Sequence, residues 1–327
     1  MKKTVPHKNA FDAVIFDIDN VLINTRRSYL EVIRWTVEIF LTHGTVPFFV
    51  YKKRTDSPQI LTRQDISHFK LLGGFNDDWD CCYGLLVYLL KLPVQGRTVP
   101  HLLKAKNILK FSETVKKRPL GARGIVEMLG RPPSVKIETI SRIFQEIYVG
   151  KEVFEKMEIK KAMYWFKRGL IHKEKPIFRK STLEKMKARD VKLGIATGRS
   201  RFEATYVLKR FGIFELFEAI TSLGEIRKAE EEARQSLRKP HPFSLVQTAK
   251  KMGGAKRFLY VGDLPDDILA AQRAKESIEI NSVAFPWHSE DARRTLEEMK
   301  RYNPDYLLKK PGDLLALVKS PKRFQLA

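Results

Sequence analysis

The stretch Phe11-Asp12-Ala13-Val14-Ile15-Phe16-Asp17-Ile18-Asp19 decides the fold of this 327-residue chain. Residues 11–16 read as apolar on both faces, which is typical of a strand covered by helices on each side. Asp17 and Asp19 follow where that strand ends, and open sheets of this kind bind ligands beyond the carboxyl ends of their strands. An Asp-x-Asp pair can equally begin a loop or cap a helix, so the pair alone leaves both interpretations open.

The later part of the chain alternates between strand and helix from about Pro176 onwards. This alternation predicts a parallel sheet with helices on both faces, in which the strand at residues 11–16 also takes part. We therefore expect an α/β protein with a Rossmann-like three-layer core. The further strands are predicted at residues 191–196, 219–221, 257–261, 282–285 and 305–308.

A long helical segment separates the first strand from the rest of this sheet. We predict a split core domain, residues 1–24 and 173–327, and a mainly α-helical domain of residues 25–172 inserted between the first two strands of the core. The pattern of apolar residues and turn signals in the insertion indicates several helices, not alternating elements.

Individual helices of the insertion have recognisable starts and stops. A Ser28/Glu31 capping box opens the first, and Gly44 ends it. Thr62 with Asp65 predicts the start of another helix. Further helical patterns cover residues 83–90, 124–129 and 137–166, and the turns between helices carry Pro119, Pro132 and Pro133.

Bulk composition restricts the class of protein. With 43% hydrophobic residues, the chain can form two domains that each have a core. No apolar run approaches the ~18 residues of a membrane span, and residues 1–8 lack the apolar stretch of a signal peptide, so we expect a cytoplasmic protein. The two cysteines, Cys81 and Cys82, are adjacent, which predicts neither a disulfide framework nor a zinc site.

The chain is strongly basic, with 61 Lys+Arg against 38 Asp+Glu and a formal net charge of +23. Such a charge is compatible with nucleic-acid binding through phosphate neutralisation. The basic residues are interspersed with acids in nearly every helical pattern, however, and a Lys- and Glu-rich surface is also typical of heat-adapted proteins. The charge favours an anionic substrate, which long-range attraction would draw in.

Further polar residues follow later predicted elements. Thr197 comes after the strand at 191–196, Lys239 precedes a proline between two helical patterns, and Asp263 and Asp267 come after the strand at 257–261. Each has an ordinary explanation, as a helix cap, a solvated lysine, or favourable acids at a helix N-terminus.

Taken in order, these positions resemble the four motifs of the haloacid dehalogenase superfamily. The matching segments are Asp-Ile-Asp-Asn-Val-Leu at 17–22, Ile-Ala-Thr-Gly-Arg at 195–199, Lys-Pro-His-Pro at 239–242 and Val-Gly-Asp-Leu-Pro-Asp-Asp-Ile-Leu-Ala-Ala at 261–271. Asn20 stands where the family usually has glycine, and asparagine tolerates unusual turn geometry. The tail at residues 304–315 is similar to the end of phosphoglycolate phosphatases.

This resemblance implies a phosphatase that uses Mg²⁺ and hydrolyses a small organic phosphate monoester. Asp17 would be the nucleophile that becomes an aspartyl phosphate, and Asp19 would protonate the leaving oxygen and then activate water. The implied Mg²⁺ ligands are the Asp17 carboxylate, the Asp19 backbone carbonyl and Asp263, with Asp267 behind them.

The resemblance also implies residues that bind the substrate. Thr197 and backbone N–H groups such as that of Gly198 would bind the phosphoryl oxygens, and Lys239 would offset their charge. Independently of the resemblance, Arg26 and Arg27 follow the first motif and are expected either to reach a substrate carboxylate or a second phosphate or to be solvated hinge residues.

In this superfamily, an insertion between the first and second motifs forms a cap over the active site and governs substrate choice. The most unusual segment of the insertion is Gly-Gly-Phe-Asn-Asp-Asp-Trp-Asp at residues 73–80. One interpretation is a loop before a helix that Asp77 or Asp78 caps. The other is a substrate-selecting loop, with Asn76 as a binding residue, that closes over Asp17.

Two alternative functions remain open at this stage. A sugar phosphomutase would use the same aspartyl phosphate for transfer instead of hydrolysis. A basic nucleic-acid-binding protein that has kept the fold would account for the net charge. We expect a small phosphorylated metabolite as the partner, in preference to nucleic acid or a membrane, and a monomer or homodimer.

Overall fold

The computed structural model describes residues 9–43, 47–51, 56–70, 72, 75, 77–114, 121–132, 134–158 and 160–325. The positions predicted at Gly44, Asn76, Pro119 and Pro133 lie outside these described residues. The chain divides into two compact units, which we call the core unit (Met1–Arg26 with Lys175–Ala327) and the inserted unit (Arg27–Glu174). No helix in the described ranges is both long and apolar enough to cross a membrane.

The core unit is built on a parallel sheet. Its strands, numbered along the chain together with a separate pair, are β1 (Ala13–Phe16), β2 (Ile23–Asn24), β3 (Lys175–Pro176), β4 (Lys192–Ala196), β5 (Ala219–Thr221), β6 (Arg257–Gly262), β7 (Glu279–Ala284) and β8 (Tyr306–Leu307). Over the described residues the main sheet has the order β5-β4-β1-β6-β7-β8, and each neighbouring pair is parallel. β2 and β3 form a separate antiparallel pair. The predicted α/β fold is therefore confirmed.

The order of the strands places a switch point at β1. This strand pairs with β4 on one side and with β6 on the other, and the chain visits the two sides in succession. Ligands of open α/β sheets bind at such a point, beyond the carboxyl ends of the strands. The residues that follow β1, β4 and β6 are therefore brought to one edge.

Helices of the inserted unit account for most of its described residues. They are α1 (Tyr29–Thr42), α2 (Arg63–Lys70), α3 (Asp78–Leu90), α4 (Val99–Ala105), α5 (Ile108–Thr114), α6 (Gly121–Leu129), α7 (Ile137–Val149) and α8 (Lys151–Glu158). The helical pattern predicted over residues 137–166 is wrong in its length. Gly150 has φ of +84°, which separates α7 from α8, and the described residues 160–166 form no helix.

The predicted capping box of α1 is also wrong. Ser28 occupies the N-cap position, but its hydroxyl donates to Glu174 Oε1 at 2.8 Å and makes no cap hydrogen bond to the helix backbone. Glu31 accepts from Arg34 and Arg63 instead. Since Glu174 is buried, its carboxylate needs hydrogen-bond donors, and this requirement outweighs the local cap.

Two other predicted helix starts are confirmed. Thr62 and Asp65 exchange hydrogen bonds at the start of α2, where Asp65 N donates to Thr62 Oγ1 at 3.0 Å and Thr62 N donates to Asp65 Oδ2 at 2.8 Å. Asp77 caps α3 by accepting from Trp79 N at 2.8 Å. This contact supports the structural interpretation of the acidic segment at the residues where the segment is described.

The helices of the core unit cover both faces of the main sheet. They are α9 (Lys180–Lys187), α10 (Arg201–Arg210), α11 (Leu223–Ala233), α12 (Phe243–Lys251), α13 (Pro265–Ala274), α14 (Ala292–Lys300) and α15 (Leu314–Lys319). Alternate residues of β1 enter different apolar clusters: Val14 and Phe16 join one, and Ala13 and Ile15 join the other. All four side chains are fully buried, as expected for a parallel strand between two helical layers.

Candidate active site

Asp17 lies directly beyond β1, at the switch point of the sheet. Its backbone N–H still donates to Val261 O at 3.0 Å, which ties the residue to β6. Its carboxylate oxygen Oδ1 accepts from Ile18 N at 2.7 Å, and the residue is only 7% exposed. The carboxylate is thus held by the main chain in a buried position.

A tight turn follows and carries Asp19. The N–H groups of Leu22 and Ile23 both donate to Ile18 O, at 3.0 and 2.9 Å. Asn20 has φ of +54°, the left-handed conformation that the sequence comparison with glycine predicted it to tolerate. The Asp19 side chain remains 31% exposed, so it is more accessible than the buried Asp17.

Lys239 links two carboxylates at the base of the site. Its ammonium Nζ lies 3.0 Å from Asp17 Oδ2 and 2.7 Å from Asp267 Oδ1. It also donates to the hydroxyl of Tyr260 at 3.0 Å, and that hydroxyl donates to Asp267 Oδ1 at 2.7 Å. Lys239 is therefore not a solvated surface lysine but a largely buried cation, 18% exposed, with three oxygen partners.

Asp267 is anchored through its other oxygen to the main chain. Oδ2 accepts from Asp263 N at 3.1 Å and from Leu264 N at 3.0 Å. This close approach requires glycine at position 262, because a Cβ there would lie 2.2 Å from Asp267 Cβ. With Oδ1 bound by Lys239 and Tyr260, Asp267 orders the loop after β6 and has little capacity left for a further ligand.

Asp263 completes the group of buried carboxylates. It is 3% exposed, and its Oδ2 accepts from Asn20 Nδ2 at 3.3 Å. One carboxylate oxygen each from Asp17, Asp263 and Asp267 lies within 4.8 Å of the others. Three carboxylates so close together repel one another unless protons or cations intervene.

The pKa values reflect this crowding. Burial raises the pKa of Asp17 to about 7, against the lowering effect of the Lys239 ammonium. Burial, followed by the charges of Asp267 and Asp17, raises the pKa of Asp263 well above its usual range. The neighbouring carboxylates hold the pKa of Lys239 well above its usual value even though burial opposes this. The protein alone therefore disfavours the fully ionised site.

This surplus of acidic groups fits a bound divalent cation. Carboxylate and backbone carbonyl oxygens are the ligands that Mg²⁺ prefers, and its charge would offset the repulsion that raises the two aspartate pKa values. Asp17 and Asp263 have the carboxylate oxygens best suited to bind it, since the hydrogen bonds of Asp267 already occupy both of its oxygens.

Thr197 lies beyond the carboxyl end of β4. Its backbone N–H donates to Thr221 O at 3.0 Å, and its Oγ1 accepts from Arg199 N at 3.1 Å. It does not cap α10, because Ser200 does so in a capping box with Glu203. Gly198 follows Thr197 in an exposed turn. The ordinary explanation of Thr197 as a helix cap is therefore wrong.

The remaining predicted site residues are less closely connected. Arg26 Nε lies 3.5 Å from Glu290 Oε1, and Arg26 Nη2 donates to Glu290 O at 3.3 Å. Its guanidinium is thus partly neutralised by a residue of the core unit. Asn76 lies outside the described residues, so its predicted contact with substrate stays a prediction.

Sequence reasoning missed three polar contributions to the site: the amide of Asn20, the hydroxyl of Tyr260 and the guanidinium of Arg199. Tyr260 is fully buried in a strand that reads as apolar, and a buried tyrosine needs a partner for its hydroxyl. Arg199 was part of a matched segment, but it was given no role. The partners of Asn20 and Arg199, Asp263 and Asp19, are distant in sequence, and those of Tyr260 lie outside its strand, so only the signal that a partner must exist was available.

The sequence matches the model of a known protein family over most of its length. The model described as "Hydrolase: haloacid dehalogenase-like hydrolase" matches residues 11–275, which includes the strands and the loops described above. The chain belongs to the haloacid dehalogenase-like hydrolases. The resemblance predicted from the four motifs is confirmed, and so is the assignment of the protein to a hydrolase family.

Curated members with similar sequences are called pyrophosphatases. Pyrophosphatase PpaX of Oceanobacillus iheyensis is 28% identical over 138 residues, and PpaX of Bacillus pumilus is 32% identical over 138 residues. Each match covers 42% of this chain and 56% of the relative. The chain thus spans only a little over half the length of these relatives.

Solved structures of similar fold extend over nearly the whole chain. An X-ray structure from the Northeast Structural Genomics Consortium is 20% identical, with a TM-score of 0.66, and the match covers 95% of this chain and 99% of that one. A protein of Haemophilus somnus 129PT, called a predicted phosphoglycolate phosphatase, is 16% identical, with a TM-score of 0.50 and coverage of 94% and 97%. These likenesses support the fold alone.

Proposed function

We propose that this haloacid dehalogenase-like hydrolase is a phosphatase that depends on Mg²⁺ and cleaves a small organic phosphate monoester through an aspartyl phosphate. The observation that carries the proposal is the buried carboxylate of Asp17, in contact with Lys239 at 3.0 Å and beside Asp263 at the switch point of the sheet. The names of the pyrophosphatase and phosphoglycolate phosphatase relatives are in keeping with a small phosphorylated substrate.

The first step is attack by a carboxylate oxygen of Asp17 on phosphorus. The bond between phosphorus and the ester oxygen breaks, and Asp19 gives its proton to that leaving oxygen. In the second step, Asp19 takes a proton from water as the water oxygen attacks phosphorus, and the Asp17 carboxylate is regenerated. The partial exposure of Asp19 suits a group that must exchange protons with the leaving alcohol and with water.

Residues around Asp17 supply binding and orientation. Lys239 holds one oxygen of Asp17 and places a positive charge beside the phosphoryl group, and Asp267 and Tyr260 hold Lys239 in place. Thr197 and the Gly198 backbone follow β4 and would bind phosphoryl oxygens.

Mg²⁺ would be held by the carboxylates of Asp17 and Asp263 and by the backbone carbonyl of Asp19, with Asp267 ordering the loop that carries Asp263. When bound, the cation neutralises charge on the phosphoryl oxygens and keeps Asp17 ionised. Asp17 needs this help because burial raises its pKa to about 7.

The inserted unit is proposed to act as the cap that selects the substrate. The acidic segment at residues 73–80 and Asn76 are the candidate selecting residues there, and Arg26 is the candidate in the core unit. Which small phosphate is accepted would then depend on the inserted unit, whereas the chemical steps depend on the core unit.

The test is release of inorganic phosphate from a panel of sugar phosphates, nucleotides, phosphoglycolate and 4-nitrophenyl phosphate, with and without Mg²⁺. We expect activity to require Mg²⁺ and to disappear in Asp17→Asn. Asp12→Asn is the matched control, because Asp12 lies at the opposite end of β1 and pairs with Arg257 at 2.9 Å. Wild-type rates in Asp17→Asn would overturn the mechanism, and transfer between two sugar phosphates without phosphate release would show a phosphomutase.

A further inference from the structure

Arg199 is a buried arginine to which the steps above assign no role. It lies two residues beyond Thr197 and is only 2% exposed. Its Nε and Nη2 atoms both donate to the same oxygen of Asp19, Oδ1, at distances of 3.0 and 2.6 Å. Short hydrogen bonds between a guanidinium and a carboxylate are among the strongest that proteins form.

Hydrogen bonds hold both polar backbone groups of Arg199. Its N–H donates to Thr197 Oγ1 at 3.1 Å, and its carbonyl accepts from Leu223 N at 2.9 Å. A planar guanidinium loses less freedom per hydrogen bond than a lysine ammonium does, so this anchored side chain is already organised before any substrate arrives.

The two carboxylate oxygens of Asp19 differ in their hydrogen-bond partners. Oδ1 receives both donors from Arg199, whereas Oδ2 accepts no hydrogen bond from any residue in the described ranges. Rotation of the carboxylate about its terminal bond would break both hydrogen bonds of Oδ1. Oδ2 is therefore the oxygen that stays available for proton exchange.

We propose that Arg199 is the positioning residue of the acid/base group: it holds Oδ1 of Asp19 so that Oδ2 carries the proton to the leaving oxygen. The inference rests on the proposed function, since it assigns a role to Asp19. As the bond from Asp17 to phosphorus forms and the ester bond breaks, the proton on Oδ2 moves to the departing oxygen. In the second step Oδ2 receives a proton from the attacking water.

A purely structural ion pair would have a different consequence. Removing it would lower stability, or would slow every substrate by the same factor. Loss of a positioning residue instead slows the first step mainly for substrates whose leaving oxygen most needs a proton. For such substrates, general acid catalysis contributes on the order of 10²- to 10⁴-fold to the rate.

The experiment compares phenyl phosphate with 4-nitrophenyl phosphate, two substrates of similar shape whose leaving oxygens differ in their need for a proton. We expect Arg199→Gln to lower kcat/KM, which reports the first step alone, on the order of 100-fold for phenyl phosphate and by less than ~5-fold for 4-nitrophenyl phosphate. Arg199→Lys keeps the positive charge but lacks the paired N–H donors of the guanidinium, so the ratio of its losses on the two substrates should be intermediate. Arg201→Gln is the matched control, since Arg201 donates to Ile220 O instead and should leave both rates unchanged.

A double variant adds a second, independent readout. In the Asp19→Asn background, Arg199→Gln should cause no further loss on phenyl phosphate, because two residues that act through one group are not additive. An equal loss of kcat/KM for both phosphates in Arg199→Gln and Arg199→Lys, or an additive double variant, would overturn the inference.

The outcomes also separate this inference from the proposed function. Activity in Asp17→Asn would mean that the proposed function itself is wrong. If Asp17→Asn is inactive but the Arg199 variants lose the same factor of activity on both substrates, only the role of Arg199 is rejected. If Arg199→Gln proves too unstable to assay, the ratio of kcat/KM on phenyl phosphate to that on 4-nitrophenyl phosphate in Arg199→Lys decides whether Arg199 positions Asp19.

Discussion

The side-chain amide of Asn20 donates a hydrogen bond to Asp263 Oδ2 over 3.3 Å, although 243 positions separate the two residues in sequence. Asn20 is in the turn after β1, and Asp263 follows β6. The carbonyl of the same amide accepts from Thr25 Oγ1 at 3.1 Å. The residue that replaces the family's usual glycine therefore does more than accept φ of +54°: it orients a candidate metal ligand.

Asn20→Gly should separate these two roles. Glycine adopts the left-handed backbone without strain, but it cannot hold Asp263, so we expect the Mg²⁺ concentration for half-maximal activity to rise roughly tenfold with little change in fold. Asn303→Gly is the control, because Asn303 also has positive φ, +45°, and is exposed outside the site. A titration of phosphatase activity with Mg²⁺ measures the effect. An unchanged Mg²⁺ dependence in Asn20→Gly would show that its amide does not orient Asp263.

Mg²⁺ itself should stabilise the folded protein against heat. A ligand that binds only the folded state adds about 2.7 kcal/mol at 100 times its Kd, so the Tm of the wild type should rise as Mg²⁺ replaces EDTA. Asp263→Asn should lose this response, yet without Mg²⁺ it should be at least as stable as the wild type, because it removes one of the crowded buried carboxylates. Asp12→Asn should keep the full response. An equal Tm increase in Asp263→Asn would place the cation elsewhere.

Tyr260→Phe tests the support behind Lys239. The change removes a hydroxyl that contacts both Lys239 and Asp267 within a buried network. We expect the free energy of unfolding to fall by about 1–2 kcal/mol, because Asp267 Oδ1 loses one of its two donors. Tyr306→Phe, on the edge strand β8, is the comparison variant and should change stability less. Urea unfolding followed by fluorescence measures both variants. Equal losses in the free energy of unfolding would show that the hydroxyl of Tyr260 contributes no more to stability than that of Tyr306.

The parts of the site that the sequence predicted are those set by topology. Asp17, Thr197 and Asp263 each follow a strand, and parallel strands end at the same edge, which is why residues grouped by their resemblance to the family's motifs also meet in space. The strands of the main sheet were visible as apolar runs between turn signals, and their observed bounds differ from the predicted ones only at the ends, whereas the short pair β2 and β3 was not predicted.

The parts that the sequence did not predict depend on partners distant in the chain. Ser28 and Glu31 have the spacing of a capping box, but Ser28 bonds Glu174, 146 positions away. The pairing of Arg199 with Asp19 spans 180 positions. Local spacing carries no information about such partners, and tertiary contacts outweigh local propensity where a buried charge must be satisfied.

Asp65 provides a prediction of acid sensitivity in the inserted unit. Its carboxylate accepts from Thr62 and lies 2.5 Å from Lys106 Nζ. Burial alone would raise the pKa of Asp65, but these hydrogen bonds and the Lys106 charge hold it below its usual value. A lowered folded-state pKa stabilises the protein above the unfolded-state pKa of ~3.9, and this contribution is lost as the pH falls below that value.

Asp65→Asn should therefore cost stability at pH 7 by about 1–2 kcal/mol and cost progressively less as the pH falls below ~4. Glu127→Gln is the control, because Glu127 pairs with Arg123 on an exposed surface, where both side chains are more than half exposed. Unfolding midpoints between pH 3 and pH 7 measure the difference. A loss for Asp65→Asn that stays constant over this range would show that the ionised carboxylate is not what stabilises α2.

Gly150 and Gly130 form a matched pair that tests why the helical pattern over residues 137–166 breaks. Both have positive φ, +84° and +77°, which costs alanine about 1–2 kcal/mol in the left-handed region, and the cost is higher at Gly150 because its ψ of 163° lies in a region that only glycine readily adopts. A Cβ at position 150 would in addition lie 2.2 Å from Gly169 N, whereas at position 130 its nearest neighbour is the flexible end of Lys91, 3.4 Å away. We expect Gly150→Ala to lose more than ~4 kcal/mol or to fail to fold, and Gly130→Ala to lose only the backbone cost. Urea midpoints and the yield of folded protein measure this, and similar losses in both variants would mean that the contact with Gly169 does not separate α7 from α8.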